Sequence, residues 1–149
     1  MRILPEMAGL GTPSNQIETP QGTILFWSNA PFLATHMEGY ADITIGQAID
    51  DFYRKHFDIF DFVVTVHDWS ALTDYDWECR KLMQQLTHFM RPKQRELILH
   101  LGKQRSYGHK AILVAAEIMT KMRGTPFEFF NDDEMFESRL RGLKEKYGH

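Results

Sequence analysis

The chain of 149 residues holds one cysteine, Cys79. No intramolecular disulfide can form, and a zinc site built from several thiolates is excluded. Such cysteine usage suits a reducing compartment, so a cytoplasmic setting is expected. Long apolar runs are also missing. The longest small and aliphatic stretch, residues 111–116, is far too short to span a bilayer. Residues 1–22 carry Pro5 and Glu6 where a signal peptide needs an apolar segment. Neither secretion nor membrane insertion is expected. Positive charge is not in excess: Lys and Arg total 17 against 20 Asp and Glu, a formal net charge of -3. That balance argues against nucleic acid as a partner. Arg139, Arg141, Lys144 and Lys146 cluster near the end, among acids, as on a solvated helix face. There is no glycine-rich phosphate loop, no G-x-S-x-G elbow and no C-x-x-C. The seven histidines form no H-E-x-x-H spacing. No cofactor or metal is implied, and no cluster demands an enzyme.

What is present suits one globular domain. Hydrophobic residues are 43% and charged residues 25%, ordinary proportions for a packed core. A chain of this length buries roughly two-thirds of its unfolded surface, enough to stand without staples. Residues 1–21 hold Pro5, Gly9, Gly11, Pro13, Ser14, Asn15 and Pro20, which predicts a flexible tail ahead of a single domain over 22–149. Residues 23–27 are β-branched and aromatic, and 32–37 follow after a turn at 28–31, which predicts an antiparallel pair. Ile45, Ala48, Ile49, Phe52, Tyr53 and Phe57 recur at three- and four-residue steps and predict a helix over 45–57. Thr44 and Gln47 have capping-box spacing ahead of it.

Residues 62–66, Phe-Val-Val-Thr-Val, lack alternation, as in a strand buried on both faces at the centre of a sheet. A polar loop is expected over 67–74. A second helix follows, with Tyr75, Cys79, Leu82, Met83, Leu86, Phe89 and Met90 on its buried side, Thr73 or Asp74 as cap, and Pro92 as its stop. Residues 97–101 predict a strand, 104–108 a loop, 110–122 a helix ending before Gly124, and 127–130 a short strand. A last helix starts near Asn131, which pairs with Glu134 as a cap, and buries Phe136, Leu140, Leu143 and Tyr147. The order β-β-α-β-α-β-α-β-α implies an α/β fold with a mostly parallel sheet flanked by helices.

That order, over about 130 residues, resembles the STAS domain of bacterial anti-sigma factor antagonists. The run Val63-Val64-Thr65-Val66-His67-Asp68-Trp69-Ser70-Ala71-Leu72-Thr73-Asp74 is similar to the family's third strand and the loop into its second helix. Phe127-Glu128-Phe129-Phe130-Asn131-Asp132 is similar to its ending. The resemblance implies a STAS-like fold and a non-catalytic regulatory role in signal transduction through protein–protein contact. The implied partner is an anti-sigma factor or a switch kinase, and a homodimer stays open. In partner-switching members a serine or threonine at the start of the second helix is phosphorylated, within aspartate, serine, serine or threonine, then glycine. Here Asp74, Tyr75, Asp76 and Trp77 fall on those positions. The acceptor slot holds Asp76 and the glycine is missing, which sets aside the family's serine switch.

The residues of that stretch carry a physical reading of their own. A helix N-terminus offers unpaired N–H groups and partial positive charge, so Asp74, Asp76 and Glu78 stabilise it there. Ordinary capping accounts for them. The functional alternative is a fixed negative surface that imitates a phosphorylated state. Ser70 and Thr73 are the candidate phosphorylation sites, and a phosphate there would meet carboxylates already present. The expected partner-binding surface is Asp68, Trp69, Ser70, Thr73, Asp74, Tyr75, Asp76 and Trp77, with two tryptophans flanking a loop. Two other readings compete. One is a lipid or small-ligand module, since SEC14-type lipid-binding proteins share the strand and helix order. The other is a small metal-dependent hydrolase in which Asp68, Asp74 and Asp76 gather magnesium.

Overall fold

The computed structural model describes residues 1–102 and 126–148. Their elements are α1 (Pro5–Ala8), β1 (Asn15–Glu18), β2 (Gly22–Asn29), β3 (Phe32–Ala41), α2 (Ile43–Phe57), β4 (Val63–Tyr75), α3 (Trp77–Met90), β5 (Gln94–His100), β6 (Phe127–Phe130) and a final helix, α4 (Asp133–Lys146). The strands form one six-stranded sheet in chain order, β1 to β6. β1 with β2 and β2 with β3 are antiparallel. From β3 onward every pairing is parallel. The expected α/β architecture with a mostly parallel sheet is therefore present. The expected loop at 104–108 and helix at 110–122 lie outside the described residues.

Side chains on a strand alternate between faces, and here both faces are covered. On one face Ile24, Phe26, Leu33, Val63 and Leu99 meet Ile45, Ile49 and Tyr53 of α2 and Cys79, Leu86 and Met90 of α3. On the other, Leu25, Trp27, Phe32, Ala34, Val64, Val66 and Ile98 meet Phe136, Leu140 and Leu143 of α4. The run Val63-Val64-Thr65-Val66 is buried throughout, with β3 and β5 as neighbours. Each of its valines stabilises by at most roughly 1.5–3 kcal/mol on the extended-chain reference. α2 and α3 approach closely at Gly46, where an added Cβ would lie 3.1 Å from the Cys79 Cα.

Three expectations are corrected. Residues 1–21 are not a loose tail. Leu4, Met7 and Leu10 recur every three residues and are buried on the α4 face. Pro5 starts α1, where its missing N–H costs nothing. The Trp27 indole donates to the Gly11 carbonyl at 2.9 Å, and Lys144 and Arg141 of α4 both bind the Glu6 carboxylate at 2.9 Å. Residues 67–74 are not a loop but the second half of β4, paired with β3. Polar residues survive inside the sheet there because each finds a partner. The helix caps also move: Asp42, Asp76 and Asp132 accept from Ile45, Cys79 and Met135 N–H, in place of the expected Thr44, Thr73 or Asp74, and Asn131.

Candidate functional site

Because β4 continues to Tyr75, the residues expected to share one surface are divided between interior and rim. Asp68 is 1% exposed and Trp69 is buried. Neither presents itself to a partner, which corrects their assignment to the contact surface. The Trp69 indole donates to Thr35 Oγ1 at 3.1 Å. Ser70 is half-buried, and its hydroxyl donates to Asp68 Oδ1 at 2.7 Å. Thr73 is exposed, while Asp74, Tyr75 and Asp76 are half-buried. Asp74 Oδ1 accepts the Tyr75 N–H at 2.8 Å. Asp76 Oδ1 accepts the Cys79 N–H at 2.8 Å and is the N-cap of α3. Trp77, the first residue of α3, is 62% exposed. The Arg80 guanidinium lies 5.4 Å from its ring centroid, within cation–π range. Thr73, Asp76, Trp77 and Glu78 therefore make a mixed aromatic and acidic rim at a helix N-terminus.

Earlier along β4, inside the sheet, lies a polar row that sequence reasoning missed. His36 of β3, Asp68 of β4 and His100 of β5 are cross-strand neighbours, all buried. His36 Nδ1 donates to Asp68 Oδ2 at 2.9 Å, and its Nε2 lies 3.4 Å from Glu38. His100 Nε2 meets Asp133, in the first turn of α4, at 2.7 Å, and Arg2 binds the other oxygen of that carboxylate at 2.8 Å. Burial pushes the Asp68 carboxyl up. Hydrogen bonds from His36 and Ser70, with the charges of His36 and His100, more than reverse this and hold it below its ordinary value. A signal for the row was available. His36 and Asp68 are 32 residues apart, and His100 follows Asp68 by the same interval (100 − 68). In a sheet built in chain order, a constant strand-to-strand interval places equally spaced residues side by side.

The row is not arranged as a serine–histidine–aspartate triad. A nucleophilic hydroxyl needs a base that takes its proton, and in a triad that base is the imidazole. Here the Ser70 hydroxyl donates to the carboxylate, and the imidazole lies on the far side of it. Asp68, Asp74 and Asp76 are not gathered as a magnesium site. Among the described residues no group of three or more His, Cys, Asp or Glu is placed to hold a metal.

No family model matches the chain, and no curated protein matches it. A solved structure does. It is an uncharacterized protein of the DUF3478 family from Shewanella loihica PV-4, described as having a SpoIIAA-like fold. The TM-score is 0.57 at 11% identity, over 83% of this chain and 98% of that one. The fold is SpoIIAA-like. This is the fold of STAS domains and anti-sigma factor antagonists, so the resemblance drawn from element order holds at the level of architecture. Identity this low speaks for the fold alone. Within the SpoIIAA-like frame the rim just described is the end of the fourth strand and the start of the helix after it. No helix among the described residues is long and apolar enough to cross a membrane.

Proposed function

We propose that the chain is a non-catalytic regulatory module, of the anti-sigma factor antagonist kind, that docks a partner protein on the rim where β4 meets α3. The observation that carries this reading is Trp77. A large aromatic residue, mostly exposed at a helix N-terminus and backed by Arg80, is the type of side chain that dominates protein interfaces. Asp76 and Glu78 flank it with negative charge, which suits a partner bearing an Arg or Lys patch. On this reading the partner is an anti-sigma factor or a switch kinase. The SpoIIAA-like fold supports a regulatory module in general terms. The engagement of both Asp68 oxygens, by His36 and by Ser70, supports a role other than phosphoryl transfer. Of the two hydroxyls considered for phosphorylation, Thr73 is exposed, whereas Ser70 would have to leave its bond to Asp68.

By the resemblance, Asp76 stands where partner-switching members carry their phosphorylated serine or threonine, and it also caps α3. Two substitutions separate these roles. Asp76→Ala removes both cap and charge and should lower stability by about 1 kcal/mol. Asp76→Asn keeps a cap acceptor and removes only the charge, so stability should hold. The protein is used as bait in extracts of its native cell, with eluates identified by mass spectrometry. Trp77→Ala, whose melting temperature should be unchanged, should weaken capture of a regulatory protein by about 10-fold or more. Asp76→Asn should weaken it with no loss of stability. Recovery of metabolic enzymes only, or equal capture by Trp77→Ala, would refute the reading.

A further inference from the structure

Between the sheet and helices α2 and α3 lies a cavity that the docking rim does not use. Its floor is Thr65 and His67 of β4 and Leu97 of β5, and its walls include Tyr53 of α2 with Met83, Leu86 and Met90 of α3. The enclosed space is about 20 Å³. Among the described residues, no lining side chain is Asp, Glu, Lys or Arg.

The polar groups on the lining have mostly been spoken for. The Thr65 hydroxyl donates to Gln94 Oε1 at 2.9 Å, the Gln94 amide donates to the Glu96 carbonyl at 2.6 Å, and the Thr87 hydroxyl donates to the Met83 carbonyl at 2.8 Å. The Tyr53 hydroxyl is different. It is wholly buried and has no hydrogen-bond partner. Leaving such a group unmatched costs free energy, so native interiors rarely tolerate one without a guest or a water to meet it.

His67 supplies a second group. Trp69 Nε1–H donates to Thr35 Oγ1 at 3.1 Å, and that hydroxyl lies 2.7 Å from His67 Nδ1. The chain of bonds is satisfied when Thr35 gives its proton to Nδ1, which puts the ring hydrogen on Nε2. Burial drives the His67 imidazole down to about 3, so the ring is a neutral donor at physiological pH and offers no charge to an anion. Tyr53 and His67 are neighbours, with ring centroids 5.8 Å apart.

We propose that this cavity is a binding site for a small uncharged compound, a single ring or short chain bearing one hydroxyl or carbonyl. Its oxygen sits between the Tyr53 hydroxyl and His67 Nε2, and its carbon body packs on Met83, Leu86, Met90 and Leu97. Methionine side chains are unbranched and re-pack readily, which lets the cavity widen for a guest larger than water. The lack of charge among the described lining residues sets the guest's neutrality, and the enclosed space, little more than a water needs, admits such a guest only as the methionine side chains shift, which excludes a lipid acyl chain.

The test uses the full-length protein and two probes of similar shape, benzyl alcohol and benzoate. The imidazole nitrogens of His67 and the indole N–H of Trp69 are followed by NMR during titration in the millimolar range. Benzyl alcohol should shift both signals saturably, and benzoate should not. Tyr53→Phe removes one hydrogen bond and should weaken benzyl alcohol binding by about 5- to 10-fold, while the fold is retained. Absence of a saturable shift at His67, binding of benzoate equal to that of the alcohol, or unchanged affinity in Tyr53→Phe would each overturn the proposal. A cavity that serves only to hold a structural water gives the first of these results. None of these readouts depends on a protein partner.

Discussion

His67 takes its hydrogen bond from Thr35 rather than from a carboxylate, so nothing offsets the cost of charging it inside the protein. The unfolded chain binds a proton at this residue near the ordinary value of 6.5, and the folded chain only near about 3. Across that interval the unfolded state holds more protons, so stability rises with pH and falls on acidification. From pH 7 to pH 5 this one group should remove about 2 kcal/mol. Asp68 acts lower on the scale. Its folded value is depressed, so its contribution is complete above the unfolded carboxylate range and is lost as pH drops through the folded value. Urea denaturation at pH 7 and pH 5 separates the two groups. His67→Asn, which can still bond to Thr35, should show most of the His67-dependent loss abolished. A slope equal to that of the unmodified protein would show that the ring does not stay neutral.

Individual elements were legible in the sequence where periodicity was strong. The stripe of Ile45, Ile49 and Tyr53 defines α2, that of Cys79, Leu86 and Met90 defines α3, and the continuous apolar run at Val63 to Val66 defines a central strand. The polar second half of β4 was not legible. His67, Asp68, Ser70 and Asp74 have loop composition, and only the cross-strand partners Thr35 and His36 make them acceptable in a sheet. The same misjudgement placed the docking residues. A surface that looks continuous in the chain is, at strand spacing, half interior. The polar row and the cavity were illegible for a related reason, since both depend on groups 14 to 32 residues apart that meet only once the register is set.

The seam between α2 and α3 yields a prediction at this scale. Gly46 leaves room for Cys79, whose thiol is pushed up to about 12, first by burial and then by the Asp76 and Asp42 charges. Thiolate is the reactive form, so the native protein should resist alkylation at Cys79 under conditions that modify a free thiol within minutes. Gly46→Ala forces a Cβ to within 3.1 Å of the Cys79 Cα. It should cost about 1–3 kcal/mol and raise the alkylation rate as the two helices part. Mass spectrometry of iodoacetamide-treated protein reads both effects. Rapid labelling of the unmodified chain would contradict the packing.

For the molecule as a whole, the N-terminal segment is the piece that composition misrepresents. Its prolines and glycines suggested a tail, yet Leu4, Met7 and Leu10 seal the α4 face of the sheet. Arg2, Arg141 and Lys144 bridge that segment to the last helix through Asp133 and Glu6. Hydrogen bonds from Lys144 and the charges of Lys144 and Arg141 hold the Glu6 carboxyl below its ordinary value, although its partial burial opposes this. Deleting residues 1–12 should therefore lower stability by more than about 4 kcal/mol, since three buried side chains of this size are lost together. Thermal denaturation followed by circular dichroism checks this. A melting temperature within a few degrees of the intact chain would restore the reading of a loose tail.

The strands of the sheet lie side by side in the order in which they occur in the chain, each parallel strand from β4 onward beside the one before it. Among the described elements, the α4 face is completed only once α4 has been made. The surface of Trp27, Phe32, Val64 and Ile98 is covered partly by Leu4, Met7 and Leu10, which precede the sheet, and partly by Phe136, Leu140 and Leu143, which follow the last described strand. A nascent or prematurely terminated polypeptide ending at Phe130 would thus carry a greasy, half-covered slab, the kind of species that chaperones retain and quality-control proteases remove.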